Sequence, residues 1–309
     1  MKNEEIPISL KKDKIDSFYL SNKWVGEWVF INERQIFFSG AGSSNFFLYD
    51  IITGKRKIIK FPDTRKSVSI NGFFFDNIRN TICILVGKYS DTFKEELDYF
   101  FYLFHINDFS WEIVEELTNM INPHYHPCYY YYDEEDNILY FVSDNKKGEI
   151  TSFDMGKKVI LSKQLIPDFD FSFGNLIYNI GGDPVKVLFS YQKENSNYHG
   201  YGLFDFNSGI ATNYFHFDAS DRGGLGLRDF VYLNNGNYLC IDSTKGNTQK
   251  IVLLDLLNNE QIKDIYVEFN NGIHDISKLR KIFNGKYGFL SVSTLSIFQR
   301  KRFVSIFYL

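Results

Sequence analysis

His124, His126 and Cys128 stand at positions i, i+2 and i+4, and on an extended strand that spacing turns all three side chains to one face. Imidazole and thiolate donors suit zinc, and an acid brought alongside would complete a four-ligand set. Glu27 and Asp168 are the acids that would have to reach them. A divalent metal held by Glu27, His126 and Asp168, with Asp229 as a further catalytic group, would polarise a carbonyl and activate water for hydrolysis. Pro123 and Pro127 disturb a regular strand around the histidines. Short polar residues that merely solvate a wet channel are the simpler reading of the same side chains. Either role depends on elements that bring residues 27 and 229 together.

Those elements are visible as a repeat. An apolar strand ending in an acid or polar residue and followed by a Gly/Asn turn recurs at Leu48-Tyr49-Asp50, Leu103-Phe104-His105, Ser152-Phe153-Asp154, Leu203-Phe204-Asp205 and Leu253-Leu254-Asp255, with a last copy at Val304 to Phe307. The third residues fall at 50, 105, 154, 205 and 255. Upstream of each lies a hairpin with an Asn, Asp or Gly turn between aromatic or aliphatic strands, as in Trp28–Ile31 to Ile36–Phe38 and Tyr129–Tyr132 to Ile138–Val142. In the fourth unit the corresponding pair is Asp170–Phe173 with Leu176–Tyr178. Strand, turn, strand, loop, strand, turn, strand over about 50 residues is the blade of a β-propeller.

The expected fold is therefore all-β: a six-bladed β-propeller of four-stranded antiparallel blades in one domain spanning 1–309. The blades are placed at 23–64, 67–117, 124–166, 168–218, 225–268 and 274–309. The last lacks an outer strand, and residues 5–12, containing Ile6 to Leu10, are expected to supply it and close the ring. Pro7 fits an outer strand, which tolerates a missing N–H on its free side.

Loops leading into the innermost strands converge on the channel mouth, where a ligand would bind. They carry Trp24 and Glu27, His124 and His126, Asp168 and Asp170, Arg228 and Asp229, and His274 and Asp275. Three of the six histidines fall there. Two longer segments, Lys88 to Asp98 and Gln192 to Gly202, read as insertions on the opposite rim. The second offers Tyr191, Tyr198, His199 and Tyr201 as rim-loop contacts for a protein or glycan.

Composition narrows the partners. With 34 Lys and Arg against 38 Asp and Glu, the chain has no basic excess to follow a nucleic-acid backbone. The N-terminus shows no secretory leader and no apolar run reaches the ~18 residues of a membrane span, so a cytoplasmic monomer without membrane contact is expected. Aromatics make 18% of the chain and read as core between blades, not as a ligand cage. Cys83, Cys128 and Cys240 are widely spaced and read as reduced thiols. No Gly-x-Ser-x-Gly, phosphate-loop or His-Glu-x-x-His motif occurs.

Val25-Gly26-Glu27-Trp28, followed by Gln35 to Ser39 and Leu48 to Lys55, resembles the opening blade of the regucalcin and gluconolactonase family of six-bladed, metal-dependent lactonases. The resemblance implies Glu27 as a metal ligand, with Pro127-Cys128 in place of that family's Pro-Asn and Pro167-Asp168 in place of its Pro-Asp. Cys128 for Asn would shift the metal from Ca²⁺ towards Zn²⁺. In general type the chain is similar to TolB-like propellers. The expected activity is that of a non-catalytic platform binding a protein or small polar ligand. A divalent-metal (Zn or Ca) lactonase or esterase is the alternative, and no other cofactor is expected.

Overall fold

The computed structural model describes residues 8–10, 15–21, 25–40, 45–62, 68–88, 98–119, 130–133, 136–144, 149–165, 178–179, 186–192, 198–205, 208–218, 227–234, 237–242, 250–255, 260–267, 274–296 and 299–308. Two N-terminal strands, β1 (Ile8–Leu10) and β2 (Ile15–Ser21), come before the repeated units. The first sheet is β3 (Val25–Asn32), β4 (Gln35–Gly40), β5 (Asn45–Asp50) and β6 (Arg56–Lys60). The second is β7 (Val68–Asp76), β8 (Thr81–Lys88), β9 (Asp98–His105) and β10 (Ser110–Ile113), followed by a one-turn helix, α1 (Glu115–Thr118). The third is β11 (Tyr130–Asp133), β12 (Ile138–Asp144), β13 (Glu149–Asp154) and β14 (Val159–Leu165). The fourth is β15 (Tyr178–Asn179), β16 (Lys186–Gln192), β17 (Tyr198–Asp205) and β18 (Ile210–Asp218). β19 (Leu227–Asn234), β20 (Asn237–Asp242), β21 (Lys250–Asp255) and β22 (Glu260–Val267) form the fifth, and β23 (His274–Lys281), β24 (Lys286–Ser296) and β25 (Gln299–Tyr308) belong to the last. Five sheets have four strands and one has five.

This is a β-propeller of antiparallel sheets. The inner strands β3 and β7, β11 and β15, β15 and β19, and β19 and β23 are neighbours. Buried clusters join the first sheet to the second through Phe37, Phe46, Ile84 and Tyr102, the second to the third through Phe74, Leu85, Leu139 and Phe153, and the fifth to the last through Leu239, Ile276 and Phe289. The last packs on the first through Leu290, Val304, Trp28 and Phe38. Strands squeezed between two such interfaces bury both faces, which is why they read as unbroken aromatic and aliphatic runs. Phe46, Phe61, Tyr102 and Trp111 meet edge-on or tilted at 4.8 to 6.3 Å, geometries that add about 0.5–1.5 kcal/mol per pair beyond burial.

The N-terminal assignment is corrected. β2, not residues 5–12, lies antiparallel on β25, from Ile15 opposite Phe307 to Ser21 opposite Arg302. β1 instead adds to the fifth sheet, parallel to β22, with Ile8 opposite Ile265. Only β2 is followed closely enough by β3 to pass from an outer strand of one sheet to the inner strand of the next. The fourth unit is also corrected: Tyr178 belongs to the first strand, β15, and its partner is Lys186–Gln192. Asp170–Phe173 lies outside the described residues.

The recurrent acids are turn locks. Asp50 Oδ1 accepts the N–H groups of Ile52 and Thr53 at 3.0 and 2.8 Å. Asp154 Oδ1 does the same for Gly156 and Lys157 at 2.9 and 2.8 Å. Asp76 caps Ile78 and Arg79, and Arg79 crosses to the next sheet to donate to the Met155 carbonyl. The bonds to Asp50 and Asp154 favour the ionised acid. The Thr53 N–H chiefly lowers the pKa of Asp50, the Lys157 N–H that of Asp154, and the Ser110 hydroxyl that of Asp108. Because the folded pKa values lie below the unfolded value of about 4, the stabilisation is present above that value and is lost as pH falls through the folded ones. Urea midpoints should therefore drop below about pH 4, and Asp50→Asn with Asp154→Asn should flatten that acid limb.

The interface between the last and first sheets is tight at Gly288 in β24. A Cβ there would lie 2.7 Å from Ile282 Cδ1 and 2.9 Å from Trp28 Cη2, with the Ser305 carbonyl at 3.4 Å. Trp28 is fully buried and has nowhere to move. Gly288→Ala should lower unfolding free energy by about 1–3 kcal/mol, read from the urea midpoint at unchanged slope.

Candidate functional site

Besides β7, whose ladder shifts between Ile70 and Gly72, three inner strands carry a β-bulge at the same place. The ladder shifts between Val25 and Trp28 in β3, between Arg228 and Val231 in β19, and between Ser277 and Arg280 in β23. The first extra residues are thus Gly26, Asp229 and Lys278. Asp229 and Lys278 sit at φ +53° and +56°, the left-handed region that suits glycine and costs other residues roughly 1–2 kcal/mol. Strain of this kind persists only where the surroundings over-determine it.

What determines it is a charged network across three sheets. Asp229 Oδ2 accepts the Lys278 backbone N–H at 2.6 Å, a bond the bulge makes available by turning that N–H out of its ladder. The Lys278 ammonium contacts Glu27 Oε1, and Arg280 Nη2 donates to Glu27 Oε2 at 2.6 Å. Glu27 is 5% exposed, whereas the Lys278 and Arg280 side chains are 39% and 27% exposed. The Glu27 N–H donates to Ser39 Oγ at 3.0 Å, and a Cβ at Gly26 would lie 3.0 Å from that hydroxyl, so a larger residue there would press on it. One acid from the first sheet, two cations from the last and one acid from the fifth therefore share the inner wall.

This redraws the expected site. Glu27 and Asp229 are brought to one network with Lys278 and Arg280, two residues outside the sequence-based candidates. Glu27, expected to ligate a metal, has both carboxylate oxygens engaged by cations. His126, Asp168, Trp24, His124 and Asp170 lie outside the described residues, as does Cys128. Among the described residues no group of three or more His, Cys, Asp and Glu could hold a metal. Cys83 and Cys240 are buried, and burial pushes both thiols up, so neither is a thiolate near neutral pH. Arg228, His274 and Asp275 are strand residues instead of loop residues: Arg228 faces Ile241, His274 faces Ser293 and Asp275 faces Val292. Asp275 is exposed.

The expected rim loop is corrected as well. Tyr191 pairs with Gly200, Tyr198 with Asp218, His199 with Gln192 and Phe217, and Tyr201 with Ser190 and Phe215. These four residues extend β16 and β17; residues 193–197 lie outside the described residues. Lys88 likewise pairs with Asp98 at the end of β8 and β9. A cavity of about 140 Å³ at the seam of the first and last sheets, lined by Asp16, Phe30, Glu33, Ile282 and Lys286 among others, shares no residue with the charged network.

No family model matches the chain, that of regucalcin and gluconolactonase included, and no curated protein matches it. Solved structures do. A nidogen/laminin complex aligns with a TM-score of 0.53 at 11% identity over 79% of this chain and 81% of that one. Virginiamycin B lyase from Staphylococcus aureus gives 0.53 at 12% identity over 96% and 99%. YCF48 bound to D1 peptide gives 0.54 at 8% identity over 98% and 98%. At such identities the shared property is the propeller fold alone.

Proposed function

We propose that the chain is a non-catalytic binding platform: a single-domain, six-bladed ring that recognises a protein or small polar ligand at the inner wall around Asp229, Lys278 and Arg280. The blade count takes the five four-stranded sheets and the five-stranded one as equal members of the ring. Closure is supported by β2 on β25 and by Trp28 packed with Leu290. The observation that carries the functional reading is the Glu27 ion pair with Lys278 and Arg280. A buried acid that anchors two half-exposed cations fixes their position for an incoming polar group at little entropic cost. Among propellers of this shape, the YCF48 structure holds a peptide and the nidogen structure is a complex with laminin, so a protein partner is the favoured ligand class.

Thermal-shift and saturation-transfer screening of the whole chain against small carboxylates, phosphates and sugars, with a peptide array alongside, tests this. Ligands that bind should lose at least tenfold in affinity in Lys278→Met and in Asp229→Asn. Ligands indifferent to both variants would overturn the inner-wall reading. Ester or lactone turnover abolished by Glu27→Gln would replace the platform with a hydrolase.

A further inference from the structure

The outer strand of the third sheet differs from that of the first. β14 is the last strand in its sheet order, so no described strand pairs with its far side. Val159, Ile160, Leu161 and Leu165 are 45%, 44%, 48% and 57% exposed. Four large aliphatics in a seven-residue strand are held in water; β6, by comparison, exposes only Ile58 among Arg56, Lys57 and Lys60. Three of the four are consecutive and lie at a bulge: Ser152 pairs with Ser162 and Phe153 with Ile160, leaving Leu161 as the extra residue. The bulge shifts the register by one residue: Ser162–Leu165 pairs regularly with Glu149–Ser152 and offers a straight outer edge, and Val159–Leu161 forms an apolar shelf beside it. The shelf continues onto the second sheet. Lys158 reaches Glu112 in β10, next to Ile113, itself 44% exposed, and Lys57 lies 3.2 Å above the Phe109 ring at the turn before β10.

An exposed aliphatic edge with a single interior charge invites strand pairing. The molecule contains one example of that event: β22, the corresponding edge of the fifth sheet, is covered by the aliphatic segment Ile8-Ser9-Leu10. Lysines flank the bare edge, Lys157 at 76% exposure beside Asp154, and Lys158 and Lys163 beside Glu112 and Glu149. We propose that β14 is a docking strand that accepts, as a fifth strand, an extended segment of a partner protein with alternating aliphatic residues and an acid at its end. Backbone pairing supplies the affinity, the shelf selects aliphatic side chains, and Lys157 with Lys163 select the flanking charge. The inference rests on the platform reading only in taking the partner to be a protein.

The test uses the full chain, a double variant Ile160→Lys/Leu165→Lys, and Ile58→Lys on β6 as control. All these positions are exposed, so urea midpoints should not move. A displayed library of random peptides is selected on the native chain, and enriched sequences are resynthesised for anisotropy titration. The expected result is an alternating aliphatic pattern with terminal Asp or Glu. Affinity should fall at least tenfold in the β14 variant and stay unchanged in the control, with amide exchange of residues 162–165 slowed by the peptide. Failure to enrich peptides overturns the proposal. So does enrichment of peptides that ignore the β14 variant and respond to Lys278→Met, a result that leaves the inner-wall platform standing. Concentration-dependent dimerisation in light scattering that the β14 variant abolishes assigns the edge to a second copy, and sedimentation with phosphatidylserine vesicles that it abolishes assigns it to a membrane; either also overturns the proposal.

Discussion

A chain shortened to begin at residue 22 should lose its cooperative unfolding transition, while one that begins at residue 15 should keep it. The difference is β2. Its Leu20 is fully buried between the first and last sheets, Ser17 Oγ lies 2.9 Å from Ser305 Oγ, and the Tyr19 and Phe303 rings meet edge to face at 5.7 Å. Removing β2 exposes the whole length of β25 and opens the seam where Val304 is fully buried and Ile306 nearly so. The Leu20 side chain alone is worth about 2–5 kcal/mol, and the lost ladder adds about 1 kcal/mol for each hydrogen bond. Together these approach the whole stability of an ordinary domain, about 5–15 kcal/mol. β1, by contrast, contributes three residues of parallel pairing on a sheet that is already four strands wide. Circular dichroism during urea titration distinguishes the outcomes. Equal damage from the two truncations would show that β1 also serves closure, and an intact transition without β2 would show that the seam closes by other means.

The same strand shows where sequence reading stops. Ile6–Leu10 and Ile15–Leu20 are both short apolar runs before the first unit, and Pro7 made the first look suited to an outer position. Composition does not separate them. Chain geometry does, because using residues 5–12 would leave a second apolar segment unplaced between the outer strand of one sheet and the inner strand of the next. The repeat was legible because its cause is local: the marker acids Asp50 and Asp154 bond N–H groups two and three residues on, and Asn80, Asn137 and Asn284 take the left-handed turns of their hairpins. The fourth unit misled because Gly174-Asn175 reads as a hairpin turn, whereas Tyr178 pairs with Leu188. For Tyr191 and His199 the strands extend to 192 and resume at 198, so the supposed loop residues are ladder.

Of the inner wall, Glu27 and Asp229 were legible as polar residues at the entries to inner strands, but what they do was not. The partners of Glu27 are 251 and 253 positions away, and Ser277-Lys278-Leu279-Arg280-Lys281 reads as an ordinary solvated strand end. A signal was available in the closure argument itself, since a ring makes the first and last inner strands neighbours, and a lone acid on one faces a run of cations on the other.

Removing that acid should cost far more than removing either cation. Glu27→Ala removes the nearly buried acid that Lys278 and Arg280 both contact, and losing one partner of a buried pair costs about 3–5 kcal/mol. Both cations retain partial access to water, which screens the loss and brings the expected value to about 2–3 kcal/mol. Lys278→Met removes the more exposed partner, leaves Arg280 on Glu27, and keeps the backbone N–H that Asp229 accepts, so about 0–1 kcal/mol is expected. Lys278→Gly goes the other way: a residue at φ +56° sheds left-handed strain when it becomes glycine, which offsets part of the lost ion pair. Double-mutant cycles on urea unfolding separate these contributions, with a coupling of at least about 1 kcal/mol expected between Glu27→Ala and Arg280→Met. Near-zero coupling would mean that the network is a solvated coincidence. The strained bulge at Lys278 would then need a cause other than the acid it reaches.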